Sequence, residues 1–152
     1  MDLQPENKGT KEDDLLGPLN RAVKRQDVFE VRRLIAAGDD VRACDGRGVA
    51  PVLLAADRGN TVILRLLLDA GADPNTSWSG GWTPLVRAAA AGSGGAVALL
   101  LERGAALNVE MAAGRWLPVA ALVRQFWPER TSIIELLERA EHTSRDQPPR
   151  GD

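Results

Sequence analysis

The sequence predicts an all-α solenoid: a stack of four helix-turn-helix units with β-turn fingers between them. Prolines recur at spacings of 33, 33 and 34 residues, at Pro18, Pro51, Pro84 and Pro118. Glycines follow the first three prolines by 20 residues each, at Gly38, Gly71 and Gly104. Aromatic residues make up only 4% of the chain while alanine is abundant, which indicates closely packed helices. A fixed period of about 33 residues predicts a repeat architecture.

The second unit shows how one period builds two helices. Residues 45–48 (DGRG) form a turn, because aspartate hydrogen-bonds to nearby backbone and glycine permits positive φ. Pro51 suits the first turn of a short helix, which Gly59 ends. Asn60 and Thr61 can then cap a second helix. The buried face of that helix consists of apolar residues at helical spacing, Ile63, Leu64, Leu67 and Leu68.

The other units follow the same plan, with differences at the two ends of the stack. The predicted repeats span approximately residues 13–44, 45–77, 78–110 and 111–142, with flexible tails at 1–12 and 143–152. The first helix of repeat one is polar on its outer positions, which suits a terminal cap in contact with water. Repeat four has extra residues between its helices, where Pro128 separates the two.

Several segments resemble the ankyrin-repeat motif. They are Asp45-Gly-Arg-Gly48, Gly71-Ala-Asp-Pro-Asn75, Gly81-Trp-Thr-Pro-Leu85 and Gly104-Ala105. The resemblance covers roughly residues 14–142 and implies a stack whose concave side contacts protein partners. The chain departs from the motif at the family's histidine, whose positions hold Asn20, Leu53, Val86 and Ala120. The family's threonine is present only as Thr83, so we expect individually weaker repeats that stacking stabilises.

Composition and charge exclude several functions. The single histidine, His142, and the single cysteine, Cys44, lie far apart in the sequence, so we expect no catalytic residues, no metal site and no cofactor. A net charge of -2 and the adjacent opposite charges of Asp57 and Arg58 disfavour a nucleic-acid groove. No apolar run approaches the roughly 18 residues of a membrane span, and the polar, acidic N-terminus does not resemble a signal peptide. We therefore expect a cytoplasmic, non-enzymatic monomer that binds neither membrane nor nucleic acid.

The resemblance implies candidate partner-binding residues at the variable positions of the motif. In the turn tips these are Arg47, Val49, Trp78, Ser79, Trp82 and Trp116. In the first helices they are Lys24, Arg25, Asp57, Arg58, Arg124 and Gln125. The equivalent helix positions of repeat three hold Ala90 and Ala91, which predict a shallow, smooth floor.

Tryptophan is the most informative residue type. Three of the four tryptophans, Trp78, Trp82 and Trp116, lie on turns and not at periodic core positions. Tryptophan and arginine are enriched in interface hot spots, and an arginine can stack on an indole ring. The alternative is that these side chains pack against the adjacent finger and stabilise the stack. Trp127, beside Pro128, is expected to cover the last repeat locally.

Three functional interpretations remain open. The main prediction is a rigid binding module for another protein. A second is an inhibitor or neutraliser of an enzyme or toxin. Residues 114–119 (GRWLPV) resemble a segment of the ankyrin-type cyclin-dependent-kinase inhibitors, although the first helix of repeat two is complete, unlike theirs. A bacterial, immunity-like role fits the 16 arginines against 3 lysines, which indicate a GC-rich genome. The third interpretation is a structural or oligomerising subunit.

Overall fold

The computed structural model describes residues 15–146, which form eight helices and a two-stranded hairpin. The helices are α1 (Pro18–Lys24), α2 (Val28–Ala36), α3 (Pro51–Arg58), α4 (Thr61–Asp69), α5 (Pro84–Ala91), α6 (Gly94–Glu102), α7 (Val119–Phe126) and α8 (Thr131–Asp146). Strands β1 (Asn108–Met111) and β2 (Arg115–Pro118) pair antiparallel between α6 and α7, with Val109 opposite Leu117. The predicted all-α fold of four helix-turn-helix units is confirmed.

The helices form two rows. The inner row consists of α1, α3, α5 and α7, and each of these helices packs on the next. The outer row consists of α2, α4, α6 and α8, which pack on one another in the same order. Such a stack buries each unit against its neighbours, as repeat proteins do. Helix α3 has eight residues, so the first helix of unit two is complete.

Local sequence sets the start and end of these helices. Prolines occupy the first position of α1, α3 and α5, where no backbone N–H is needed. Outer helices α2, α4 and α6 follow side-chain caps, in which Asp27, Asn60 and Ser93 accept a hydrogen bond from a first-turn backbone amide. Helices α3 and α5 end at Gly59 and Gly92, whose φ angles are 64° and 77°.

The core is a continuous aliphatic layer between the two rows. The alanine pairs 55–56 and 88–89 are fully buried and allow the inner helices to approach one another closely. The outer row contributes larger side chains that are also fully buried, among them Ile63, Leu64, Leu67, Leu100 and Leu137. Burying one such side chain contributes about 1.5–3 kcal/mol, so apolar contact within and between units stabilises the stack.

Hydrogen bonds also connect each unit to the next. Asn20, at the position of a missing histidine, is buried, and its Nδ2 donates to the Val49 carbonyl oxygen at 2.9 Å. Asn75 accepts a hydrogen bond from the Ala106 amide at 2.7 Å and donates one to the Gly104 carbonyl at 3.2 Å. Asn20 therefore links repeats one and two without the imidazole of the motif.

The described part of the chain ends within the last helix. Helix α8 runs through Asp146, past the predicted domain end at residue 142. The predicted tail at residues 1–12 lies outside the described residues, as do positions 147–152 of the predicted C-terminal tail. Within residues 15–146, no helix is both long and apolar enough to cross a membrane.

A strained residue ends the first inner helix. Gln26 has a φ of 57°, in the left-handed region where units two and three place glycine. This conformation costs a residue with a Cβ atom roughly 1–2 kcal/mol. We expect Gln26→Gly to raise the free energy of unfolding by about 1 kcal/mol in urea titrations followed by circular dichroism.

The matched control is Gln26→Ala, which keeps the Cβ atom and so keeps the strain. Both variants lose the weak hydrogen bond that the Gln26 side chain accepts from Asn60 Nδ2 at 3.4 Å. The glycine variant should therefore be the more stable of the two. Equal stability of the two variants would contradict this explanation.

Candidate partner-binding site

The inner helices and the fingers together form one surface, named the inner face. It consists of α1, α3, α5, α7 and the turns that precede α3, α5 and α7. Most of the predicted partner-binding residues are exposed: Arg25, Arg47, Asp57, Arg58, Ser79, Trp82, Trp116, Arg124 and Gln125. Lys24 and Trp78 are half-buried.

The prediction is wrong for Val49. Its side chain is only 5% exposed and belongs to the core. Its N–H donates to Asp45 Oδ1 at 2.9 Å, while its carbonyl accepts the hydrogen bond from Asn20. Val49 therefore closes the second finger and attaches it to α1, which leaves no side-chain surface for a partner.

The third finger is a tight hairpin between two tryptophans. The backbone N–H of Trp78 donates to the carbonyl of Trp82 at 3.1 Å, and the reverse bond has the same length. Gly80 and Gly81 between them have φ angles of 80° and 84°. Trp78 Nε1 donates to the Arg47 carbonyl at 2.9 Å, which joins the third finger to the second. Trp78 thus has a structural role, whereas the Trp82 ring remains 37% exposed.

Arg87 organises this part of the inner face. Its guanidinium carbon lies 5.2 Å from the centroid of the Trp78 ring and 5.6 Å from that of Trp82. Its Nη1 also pairs with Asp57 Oδ1 of the preceding unit at 3.3 Å. An arginine over an indole face within about 6 Å makes a cation–π contact. One side chain thus fixes both tryptophans and links units two and three, and the sequence did not single it out.

Next to Trp82 lies an apolar cleft of about 160 Å³, named the aromatic cleft. Its walls are formed by Trp82, Val86, Met111, Leu122, Phe126 and Trp127, with the backbone of Gly80 and Gly81 at one edge. The cleft lies between the third finger, α5, β1 and α7, so residues of units three and four form it together. A concave and mostly apolar site is the usual form of a binding pocket.

Phe126 and Trp127 complete the cleft, and the sequence prediction missed their part in it. The ring centroids of Trp82 and Trp127 are 6.3 Å apart, with an interplanar angle of 67°. Those of Phe126 and Trp127 are 5.9 Å apart, and Phe126 is 59% exposed. Such edge-to-face and tilted pairs are the preferred aromatic geometries. Trp127, which the sequence predicts to cover the last repeat only, therefore contacts unit three as well as its own unit.

A wider groove runs between the third finger and the β1–β2 hairpin. Trp78, Ser79 and Trp116 line it, together with polar residues such as Asn75 and Asn108. Trp116 lies on β2 opposite Glu110 and is 64% exposed. Met111 contributes to the walls of both this finger groove and the aromatic cleft, so the two are adjacent.

Comparison with protein families identifies this architecture. The protein-family model described as ankyrin repeats (3 copies) matches residues 19–111, more than half of the chain. The chain belongs to the ankyrin-repeat family. Comparison with curated proteins gives no matching relative. Ankyrin repeats are generally non-catalytic modules for protein–protein interaction.

The remaining predicted residues lie at the inner-helix positions of the ankyrin repeats. Ala90 is half-buried and Ala91 is exposed, and the Arg130 guanidinium donates to the Ala90 carbonyl oxygen at 3.4 Å. In repeat four, Arg124 pairs with Glu138 of α8, while Gln125 is exposed. Within the part of the chain that the structure describes, no three His, Cys, Asp or Glu side chains are grouped as metal ligands.

Asp45 fixes the turn that begins the second ankyrin repeat. Its Oδ1 accepts the backbone N–H groups of Arg47 and Val49, each at 2.9 Å, and its Oδ2 lies 3.3 Å from the Arg47 guanidinium. Burial raises the pKa of this carboxyl, but the two amides and the guanidinium outweigh burial and hold the pKa below its usual value. The Asp45 carboxylate is thus stabilised in its charged form.

We expect Asp45→Asn to lower the free energy of unfolding by about 1 kcal/mol at neutral pH, because charge-assisted hydrogen bonds are replaced by neutral ones. The carboxyl titrates at about pH 3.9 in the unfolded chain and at a lower pH in the folded one. The advantage of the native aspartate is therefore complete above about pH 4 and declines as pH falls through the folded pKa. Urea unfolding of both proteins across this range checks the prediction. A difference that grows in acid would contradict it.

Proposed function

We propose that this ankyrin-repeat chain is a non-catalytic module that binds a protein partner through its inner face. The observation that carries the proposal is the aromatic cleft, an apolar opening lined by the exposed residues Trp82 and Phe126, with Arg87 in contact with the Trp82 ring. Tryptophan and arginine are the side chains most enriched in interface hot spots. Trp82 is the side chain that we expect to contribute most to binding.

The cleft is preformed, which favours binding. The Trp82 ring contacts both Arg87 and Trp127, and its backbone is held by the hairpin with Trp78. A partner therefore loses little free energy in ordering this surface. The partner covers apolar surface that is already ordered, so less of the binding free energy is lost in ordering side chains.

The proposal includes a cytoplasmic monomer that catalyses no reaction. Among the described residues, the groups with shifted pKa values are Glu30, Arg33 and Asp45, and none of them lines the aromatic cleft. Catalytic sites gather such groups in a pocket. The exposed, unpaired thiol of Cys44 suits a reducing compartment. The complete helix α3 does not follow the pattern of the kinase inhibitors.

Site-specific photo-crosslinking in the cells that produce this protein tests the proposal. A photoreactive amino acid replaces Gln125 on the inner face in one variant and Arg65 on outer helix α4 in another; both native side chains are exposed. We expect crosslinks to a protein from position 125 and none from position 65. Crosslinks from position 65 alone would show that another face binds the partner. An absence of crosslinks from both positions would contradict the proposed function.

A further inference from the structure

We propose that the partner segment consists of a bulky apolar anchor, which enters the aromatic cleft, followed by carboxylates that lie along repeats two and one. This inference rests on the proposed function and adds the chemistry of the partner. Two features of the inner face carry it: the apolar walls of the cleft, and an excess of positive charge on the inner helices. The positive charge of the inner helices favours an acidic segment over a neutral one.

The inner helices and the C-terminal cap of α1 hold six basic residues against one acidic residue. The basic ones are Arg21, Lys24, Arg25, Arg58, Arg87 and Arg124, and the acidic one is Asp57. The whole chain, in contrast, has a net charge of -2. The inner helices and this cap thus carry an excess of positive charge that the whole chain lacks, and it favours a partner of opposite charge.

Two of these cations are available to a partner. Arg87 is paired with Asp57, and Arg124 is paired with Glu138. Arg25 and Arg58 are exposed, and neither side chain makes a hydrogen bond or ion pair with the described residues. Carboxylates of a bound segment would be their first ion-pair partners within this part of the chain. The acidic part of the segment should therefore contact repeats one and two.

The order of features along the stack gives the spacing of the segment. The aromatic cleft lies between repeats three and four, and the successive inner helices then present Ala90 and Ala91, Arg58 and finally Arg25. Packed helices are about 8–10 Å apart, and an extended chain covers about 3.3–3.6 Å per residue. Carboxylates at roughly four and seven residues from the anchor would therefore reach Arg58 and Arg25. Between the cleft and these cations, Ala90 and Ala91 have small side chains, which leave room for the segment's backbone.

Fluorescence anisotropy with labelled twelve-residue peptides tests this arrangement on the full chain. The anchored acidic peptide has a Leu-Phe pair at one end and aspartates at the fourth and seventh positions from that pair. It is synthesised in two versions, one with the pair at the N-terminus and one with the reversed sequence. In the neutral peptide asparagine replaces aspartate, and in the unanchored peptide alanine replaces Leu-Phe. A single-stranded thymidine dodecamer represents nucleic acid.

We expect the anchored acidic peptide to bind about five-fold more tightly than the neutral one, because each exposed ion pair contributes modestly. The double variant Arg25→Gln, Arg58→Gln should abolish that advantage. The control Arg65→Gln, on the outer row, should keep it. Trp82→Ala should weaken both anchored peptides by the same factor, since it alters the cleft and neither Arg25 nor Arg58.

The other outcomes separate this inference from the proposed function. Equal binding of the acidic and neutral peptides would overturn the acidic chemistry and leave the cleft as a protein-binding site. The same holds if no anchored peptide binds although position 125 crosslinks to a protein. Tighter binding of the thymidine dodecamer than of the acidic peptide would also overturn the inference. A lack of crosslinks from position 125 would instead count against the proposed function itself.

Discussion

Trp82→Ala is expected to weaken partner binding about thirty-fold while the chain stays folded, because truncation of a central hot-spot side chain costs about 2 kcal/mol or more. Trp82 is the one tryptophan that lines the aromatic cleft and is also more than one-third exposed. Its loss removes the edge contact with Trp127 and one of the two cation–π contacts of Arg87. The affinity for the protein crosslinked from position 125, measured by isothermal calorimetry, checks this expectation.

The matched control is Phe29→Ala. Phe29 is an aromatic residue on outer helix α2 and is 77% exposed, so its replacement removes a similar exposed ring from the opposite row. We expect this variant to bind with unchanged affinity. If Phe29→Ala weakens binding as much as Trp82→Ala, the partner does not bind through the inner face.

The second large effect is expected for Gly81→Ala, which should lower the free energy of unfolding by about 3 kcal/mol, since backbone strain costs about 1–3 kcal/mol and a steric clash adds to it. Gly81 has a φ of 84°, and a Cβ atom there would lie 2.6 Å from the Glu110 carbonyl oxygen and 3.3 Å from Met111 Sδ. The third finger would have to move away from β1, and the aromatic cleft would open between units three and four. Urea titration measures the loss of stability.

Gly80→Ala is the control for the clash. Gly80 has nearly the same φ, 80°, but a Cβ atom there would meet only Trp82 Cδ1, at an ordinary 3.9 Å. This variant should lose about 1 kcal/mol, the backbone term alone. If both variants lose the same free energy of unfolding, the clash of the new Cβ atom with β1 adds nothing to the backbone strain.

The sequence predicted the framework well because its determinants are local. The prolines that begin the inner helices, the cap at Asn60 and the glycine at Gly59 act within a few residues of their own position. Their recurrence at one period then fixed the order and number of units. The apolar pairs of the outer helices indicated the core for the same reason, since helical spacing determines which side faces inward.

The candidate site was only partly predictable because long-range contacts create it. Arg87 occupies an ordinary helix position, and its role depends on Asp57, thirty residues earlier, and on two indoles of the third finger. Trp127 reaches Trp82 because the extra residues of repeat four carry it across to unit three. A detectable signal was the insertion itself, which places two aromatic residues at the end of an inner helix.

Val49 is a residue that the sequence placed at the surface and the structure places in the core. The motif treats its position as a variable turn tip, and turn tips are usually exposed. In this chain the residue is apolar, and its backbone bonds to Asp45 and Asn20 draw it into the core. Asn20 is itself a departure from the motif. The burial of Val49 therefore depends on Asn20, a substitution in the neighbouring repeat, and nothing in the sequence indicated their contact.

The most direct test of the central claim uses the four tryptophans as reporters. Labelling with 5-fluorotryptophan gives one fluorine NMR signal for each of Trp78, Trp82, Trp116 and Trp127. Titration with the protein crosslinked from position 125 should shift the signals of Trp82 and Trp127 most strongly, because both rings line the aromatic cleft. Saturating binding that leaves these two signals unchanged would contradict the claim that the aromatic cleft binds the partner.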